Sequence, residues 1–198
     1  MKNPLPMKEW PRVEERKVEA YTSEQLNEIL SKATTDEKDL ILFLVCTGFR
    51  DDEVAHAVYS DVNFKTREIK VGPKPEIGFT TKNGKERSVR VPADLTERLL
   101  ERRKRNAEDI LIFPNSKGGP DTALLVRVRN AAKRAEYKGK VTLHRFRKTF
   151  GTRYGEKHGI VNAQNLLGHA SIRTTQKYLA ETKIPATAVE ELFSDVGR

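Results

Sequence analysis

Leu143-His144-Arg145-Phe146-Arg147-Lys148-Thr149-Phe150-Gly151-Thr152 is the stretch on which the reading of this chain turns. His144 and Arg147 are three residues apart, so on a helix they share a face and can converge on one anion. The same spacing also suits a capping histidine and a salt-bridging arginine. From Arg127 to Lys157 there are eleven Lys and Arg residues against only Glu136 and Glu156, whereas from Ala180 the sign reverses, with Glu181, Glu190, Glu191 and Asp195 against Lys183 and Arg198. The 198 residues carry a formal charge of +9. A net positive charge concentrates polyanions, of which nucleic acid is the commonest. We read the basic run as a phosphate-facing surface.

Hydrophobic residues make up 37% of the chain and charged residues 33%. That suffices for a core under a charged surface, in one domain or two small ones, and excludes wholesale disorder. The longest apolar stretch, Leu40 to Cys46, is far short of the roughly 20 residues that span a bilayer, and no signal pattern opens the chain. No membrane is expected; the reading is a soluble, cytoplasmic protein. The lone Cys46 offers neither an internal disulfide nor a CxxC pair, which excludes an oxidised scaffold and structural zinc.

Met1 to Ala20 holds Pro4, Pro6 and Pro11 without helical periodicity and reads as a linker or arm, residues 1–21. The folded unit is expected over residues 22–198. Thr22 or Ser23 caps a helix with Leu26, Ile29 and Leu30, and a second helix runs from about Asp36 to Gly48 as the buried centre. A short helix near Asp52 to Val58 follows, then strands at Glu68–Val71, Ile77–Thr80 and Ser88–Val91, with Asn83-Gly84 as a hairpin signal. Asp94 to Asn106 is an amphipathic helix, Pro114 to Pro120 a loop, and the remainder helices broken at Gly139, Gly159, Gly168 and Pro185. The expected class is α+β, mostly helical, with one small antiparallel sheet.

Four segments carry reactive or phosphate-binding side chains: Thr47-Gly48-Phe49-Arg50 with Glu53, Thr81-Lys82-Asn83-Gly84-Lys85, the segment around His144 and Arg147, and Leu167-Gly168-His169 leading to Tyr178-Leu179. In this order they resemble the catalytic domain of the tyrosine recombinase (phage integrase) family over about Thr22 to Phe193. The resemblance implies that family's fold. It also aligns Arg50, Glu53, Lys82, His144, Arg147, His169 and Tyr178 with the family's first arginine, acidic residue, hairpin lysine, His-x-x-Arg pair, second histidine and nucleophilic tyrosine. The match departs at Asp51 and Asp52, where an aliphatic residue and Ser are commoner, and at Lys148, where His is common. Ahead of the catalytic domain, family members usually carry a helical core-binding domain.

The implied activity is site-specific DNA recombination, as in integration by mobile genetic elements. A tyrosine hydroxyl attacks a phosphodiester, leaves a 3'-phosphotyrosyl link and frees a 5'-hydroxyl. Rejoining needs no cofactor, and no metal is required. Arg50 and Arg147 suit the scissile phosphate because a guanidinium donates paired hydrogen bonds and keeps its charge. A phenol with a pKa near 10 needs help at neutral pH, which makes His144 the candidate base; His169 donates to a phosphate oxygen. Lys82 is the candidate acid for the leaving oxygen. Glu53 would repel phosphate and is expected to orient Arg50 or His144. Lys85, Arg145, Lys148 and Arg173 are expected DNA contacts. The expected partners are double-stranded DNA and further copies of the chain, forming a tetramer at synapsis. The segment from Ala186 to Phe193 is expected to dock on a neighbouring protomer. Alternatives are a type IB topoisomerase-like enzyme and a non-catalytic DNA-binding module.

Overall fold

Thr22 and Thr34 each start a helix in the same way. The Thr22 hydroxyl accepts from the Gln25 N–H at 3.3 Å while the Gln25 side chain accepts from the Thr22 N–H at 3.2 Å. Thr34 and Glu37 repeat the exchange at 3.3 and 2.7 Å. Each exchange satisfies donors that a helix start leaves unpaired. In the computed structural model, which describes residues 19–81, 84–167 and 196–197, these caps open α1 (Ser23–Ser31) and α2 (Thr35–Thr47).

Helix α2 is the centre of the core: Leu40, Ile41, Phe43 and Val45 are fully buried and lie on all sides of it. Such a helix must be wrapped by others. Helices α4 (Ala93–Arg105), α5 (Leu124–Arg134) and α6 (Leu143–His158) pack directly on it, and α1 packs on α5. The buried Asp39 of α2 accepts from Arg98 of α4 at 2.9 Å and from Arg105 at 3.4 Å. Arg102 of α4 donates to the Ile112 carbonyl at 2.7 Å and lies over the Phe113 ring. Gly48 ends α2 with φ +61°, and a Cβ there would meet Phe150 Cδ1 at 2.6 Å. Only glycine fits both the conformation and the space.

Beyond Gly48 come the short α3 (Asp51–Ala55) and a three-stranded antiparallel sheet in the order β1-β2-β3: β1 (Val62–Asn63), β2 (Glu68–Val71) and β3 (Arg87–Arg90). Ile69 stands opposite Val62 on one side and Val89 on the other, a buried apolar row that fixes the register. The strand expected at Ile77–Thr80 is absent. Pro75–Ile77 forms a single 3-10 turn, ended by Gly78 at φ +70°. Pro75 has no N–H to give a ladder and Gly78 turns the chain, so Phe79 pairs back on Lys74 through bonds of 2.8 and 3.0 Å instead. His56 stacks on Phe79 at 4.6 Å, and Lys74, over the same ring, pairs with Asp61 at 2.9 Å.

Helix α6 is followed by Gly159 and α7 (Ile160–Leu167). Packing begins ahead of Thr22: Tyr21 is buried and its N–H donates to Thr149 Oγ1 of α6 at 2.8 Å. At the other end Val196 is buried on this chain's own core, and the Gly197 N–H donates to Asn27 Oδ1 at 2.8 Å. The segment Ala186 to Phe193 lies outside the described residues. Among the described residues no helix is long and apolar enough to cross a membrane.

Candidate active site

Arg50 stands in extended conformation at the start of α3, and Glu53 lies three residues into that helix. The Glu53 carboxylate accepts the Arg50 backbone N–H at 2.8 Å and the Arg50 guanidinium at 3.0 Å. Two further bonds come from Arg87 of β3, one to each carboxylate oxygen, at 2.9 and 2.5 Å. Burial alone would raise the Glu53 pKa; the bonds and charge of Arg87, then those of Arg50, outweigh it and hold the carboxyl at about 2. Glu53 is therefore a carboxylate at any physiological pH.

Arg147 projects from α6 into the same place. Its guanidinium donates to the Gly48 carbonyl at 2.6 Å and to the Leu167 carbonyl. It thus ties the end of α2 to the end of α7. Burial, followed by repulsion from Arg50 and Arg87, lowers its pKa to about 10, and Glu53 offsets part of this. The group stays charged at neutral pH. A guanidinium has five N–H donors, and these two bonds leave it able to take an oxyanion. Three cations around one carboxylate leave a net positive site, the electrostatic requirement for stabilising charge on the non-bridging oxygens of a phosphate in transfer.

Of the expected site residues, Arg50, Glu53 and Arg147 come together. Glu53 touches Arg50, as one of its two expected roles requires. His144 is exposed one turn before Arg147 on α6, and Lys148 is exposed just after it. Lys85 is exposed at the end of a turn in which the Gly84 N–H donates to the Thr81 carbonyl at 2.9 Å and the Thr81 hydroxyl to the Lys85 carbonyl at 3.0 Å. Lys82, His169, Arg173 and Tyr178 lie outside the described residues.

Arg145 is a correction to the expected DNA contacts. It is buried and donates to the Glu19 carbonyl (2.9 Å), the Lys140 carbonyl (3.0 Å), the Tyr137 hydroxyl (3.0 Å) and Gln25 Oε1 (2.9 Å), with its guanidinium over the Tyr21 ring. A guanidinium so occupied faces the fold, not DNA. The residue that sequence reading missed is Arg87. The signal was there: Arg87 stands two and four residues before the fully buried Val89 and Val91, on the same face, which marks a cation on the inward face of a strand and calls for an acidic partner. Among the described residues no group of three or more His, Cys, Asp and Glu side chains could hold a metal ion.

Two curated relatives frame this arrangement. The tyrosine recombinase XerA of Pyrococcus furiosus is 28% identical over 196 residues, covering 91% of this chain and 63% of that protein. XerA of Saccharolobus solfataricus is 32% identical over 173 residues, covering 85% of this chain and 54% of that protein. The chain thus spans between about half and two thirds of the length of these relatives. Among solved structures, the Tn1549 transposon integrase in complex with transposon right end DNA superposes with a TM-score of 0.69 at 19% identity, over 95% of this chain and 69% of that one. That likeness gives the fold, a tyrosine recombinase catalytic domain with its small sheet. The Phage integrase family model matches residues 18–184, well over half of the sequence, and the chain belongs to that family, the tyrosine recombinases.

Proposed function

We propose that this chain cleaves and rejoins DNA strands site-specifically, through a 3'-phosphotyrosine formed by Tyr178. The observation that carries the reading is the meeting of Arg50 and Arg147 beside a carboxylate that is already neutralised, a site with net positive charge built for an oxyanion. Arg50 and Arg147 hold the non-bridging oxygens of the scissile phosphate. Preorganised donors of this kind contribute several kcal/mol because they need no rearrangement as charge develops. His144, exposed at the start of α6, takes the phenolic proton, and His169 donates to a phosphate oxygen. Lys82 gives a proton to the leaving 5'-oxygen. Lys85, Lys148 and Arg173 contact the DNA backbone. The covalent link conserves the phosphodiester energy, so the freed 5'-hydroxyl of the same or another strand can reverse the step.

Support from likeness is of the same kind: the relatives bear the name tyrosine recombinase, and the Tn1549 integrase was solved on transposon end DNA. The proposed partners are double-stranded DNA and further copies of the chain, assembled as a tetramer on two duplexes in the cytoplasm. The test is strand exchange between two labelled duplexes bearing the target site. Joined products that require Tyr178, Arg50 and Arg147 are expected. Plasmid relaxation without exchange would replace the reading with nicking and closing of one duplex.

A further inference from the structure

Arg87 gives Glu53 two bonds, one to each oxygen, whereas Arg50 reaches that carboxylate with one guanidinium bond and its backbone N–H. Arg87 also lies over the Phe49 ring at 5.2 Å, on the residue between Gly48, which receives Arg147, and Arg50 itself. Its side chain is 15% exposed and that of Glu53 2%. Glu53 is the one carboxylate among the charges that shift Arg147, where it opposes Arg50 and Arg87. A bare carboxylate in this position would harm a phosphate site in two ways. It would repel the incoming oxyanion through a medium that screens poorly, and it would compete with phosphate for the paired N–H face of Arg50.

We propose that Arg87 is a positioning residue of the phosphate site: it neutralises Glu53 and fixes both of its oxygens, so that Glu53 orients Arg50 without repelling or displacing the scissile phosphate. Both Nη atoms of Arg87 are bonded to Glu53 and its Nε is buried, so it acts through that carboxylate. The inference rests on the strand-cleavage reading above. Arg87 sits on β3 and Glu53 on α3, 34 residues apart in sequence, so the sheet is part of the phosphate site's construction.

The test uses the full chain and a nicked duplex that traps the covalent adduct, with single-turnover rate and DNA affinity measured for Arg87→Met, Arg87→Lys, Glu53→Gln and the double variant Arg87→Met/Glu53→Gln. All are compared at a temperature where circular dichroism reports each one folded. Arg87→Met is expected to slow adduct formation roughly 10- to 100-fold, the range for a residue supporting a ligating group, with DNA affinity little changed. Arg87→Lys, which keeps the charge but not the fork, should fall between. The decisive result is the double variant. Removing the Glu53 charge should restore most of the rate lost in Arg87→Met, up to the level of Glu53→Gln alone. Losses that multiply in the double variant, or an Arg87→Met defect that lies in affinity instead of rate, would overturn the inference. If the unmodified chain forms no adduct at all, the strand-cleavage reading fails first, a separate outcome.

Discussion

Gly48 serves the site twice, as the left-handed end of α2 and as the carbonyl that receives Arg147. Gly48→Ala combines the cost of a positive φ with a Cβ 2.6 Å from Phe150 and 3.0 Å from Leu167. Together these should destabilise the fold by about 2–4 kcal/mol, read as a lower urea midpoint. Glu53 makes a pH prediction. Its folded pKa is depressed from the ordinary 4.5 to about 2, so its contribution is fully present above pH 4.5 and is lost as the pH falls through the folded value. Urea unfolding between about pH 5 and pH 2 should show the unmodified chain losing roughly 3 kcal/mol that Glu53→Gln does not lose. Arg50, Glu53 and Arg147 were legible because each sits in a short motif with fixed spacing. For Arg87 the spacing with Val89 and Val91 marks an inward-facing cation, but its partner Glu53 stands 34 residues away and no local pattern names it. Arg145 was misread for a related reason. Sequence gives its charge, but only the fold reveals that the Glu19 and Lys140 carbonyls surround it.

At the scale of elements, α6 does most to organise the site, since it leaves His144 exposed, sends Arg147 to the ends of α2 and α7, and turns Arg145 and Thr149 toward the segment that leads into α1. Arg145→Met should cost about 2–3 kcal/mol, as expected for orphaning several acceptors and losing a cation over Tyr21. Hydrogen exchange should rise first at residues 20–22, ahead of α6 itself. If exchange there is unchanged, Arg145 is not what holds that segment. Helix limits were partly readable: α1 starts at the Thr22 cap, α2 and α4 lie within a residue of the expected bounds and α6 stops at the Gly159 break, whereas α3 ends at Ala55, short of the expected Val58. The sheet was less so. β1 has only two residues, too few for any alternation, and the Ile77–Thr80 segment has strand-like side chains whose backbone is set by Pro75 and Gly78.

For the whole molecule, the +9 charge and the basic run in α5 and α6 predict DNA binding that weakens steeply with salt. A face neutralising about six phosphates loses about 10³-fold in affinity between about 50 and about 200 mM salt, measurable by fluorescence anisotropy. A shallow dependence would move the DNA face elsewhere. Val196 and Gly197 return to this chain's own α1 and α2, so removal of Lys183 to Arg198 should reduce assembly on DNA and also lower the stability of the free chain. Unchanged assembly after that deletion would count against a docking role for the tail. The most direct measurement for the molecule as a whole is covalent capture: incubate the full chain with a pool of randomly nicked duplexes, denature, and sequence the DNA that stays attached, with Tyr178→Phe and Arg147→Met in parallel. Adducts at a defined site, absent in Tyr178→Phe and strongly reduced in Arg147→Met, are the expected result. Adducts that persist in Tyr178→Phe, or none from the unmodified chain despite salt-sensitive binding, would contradict the assignment of this site to strand cleavage by Tyr178.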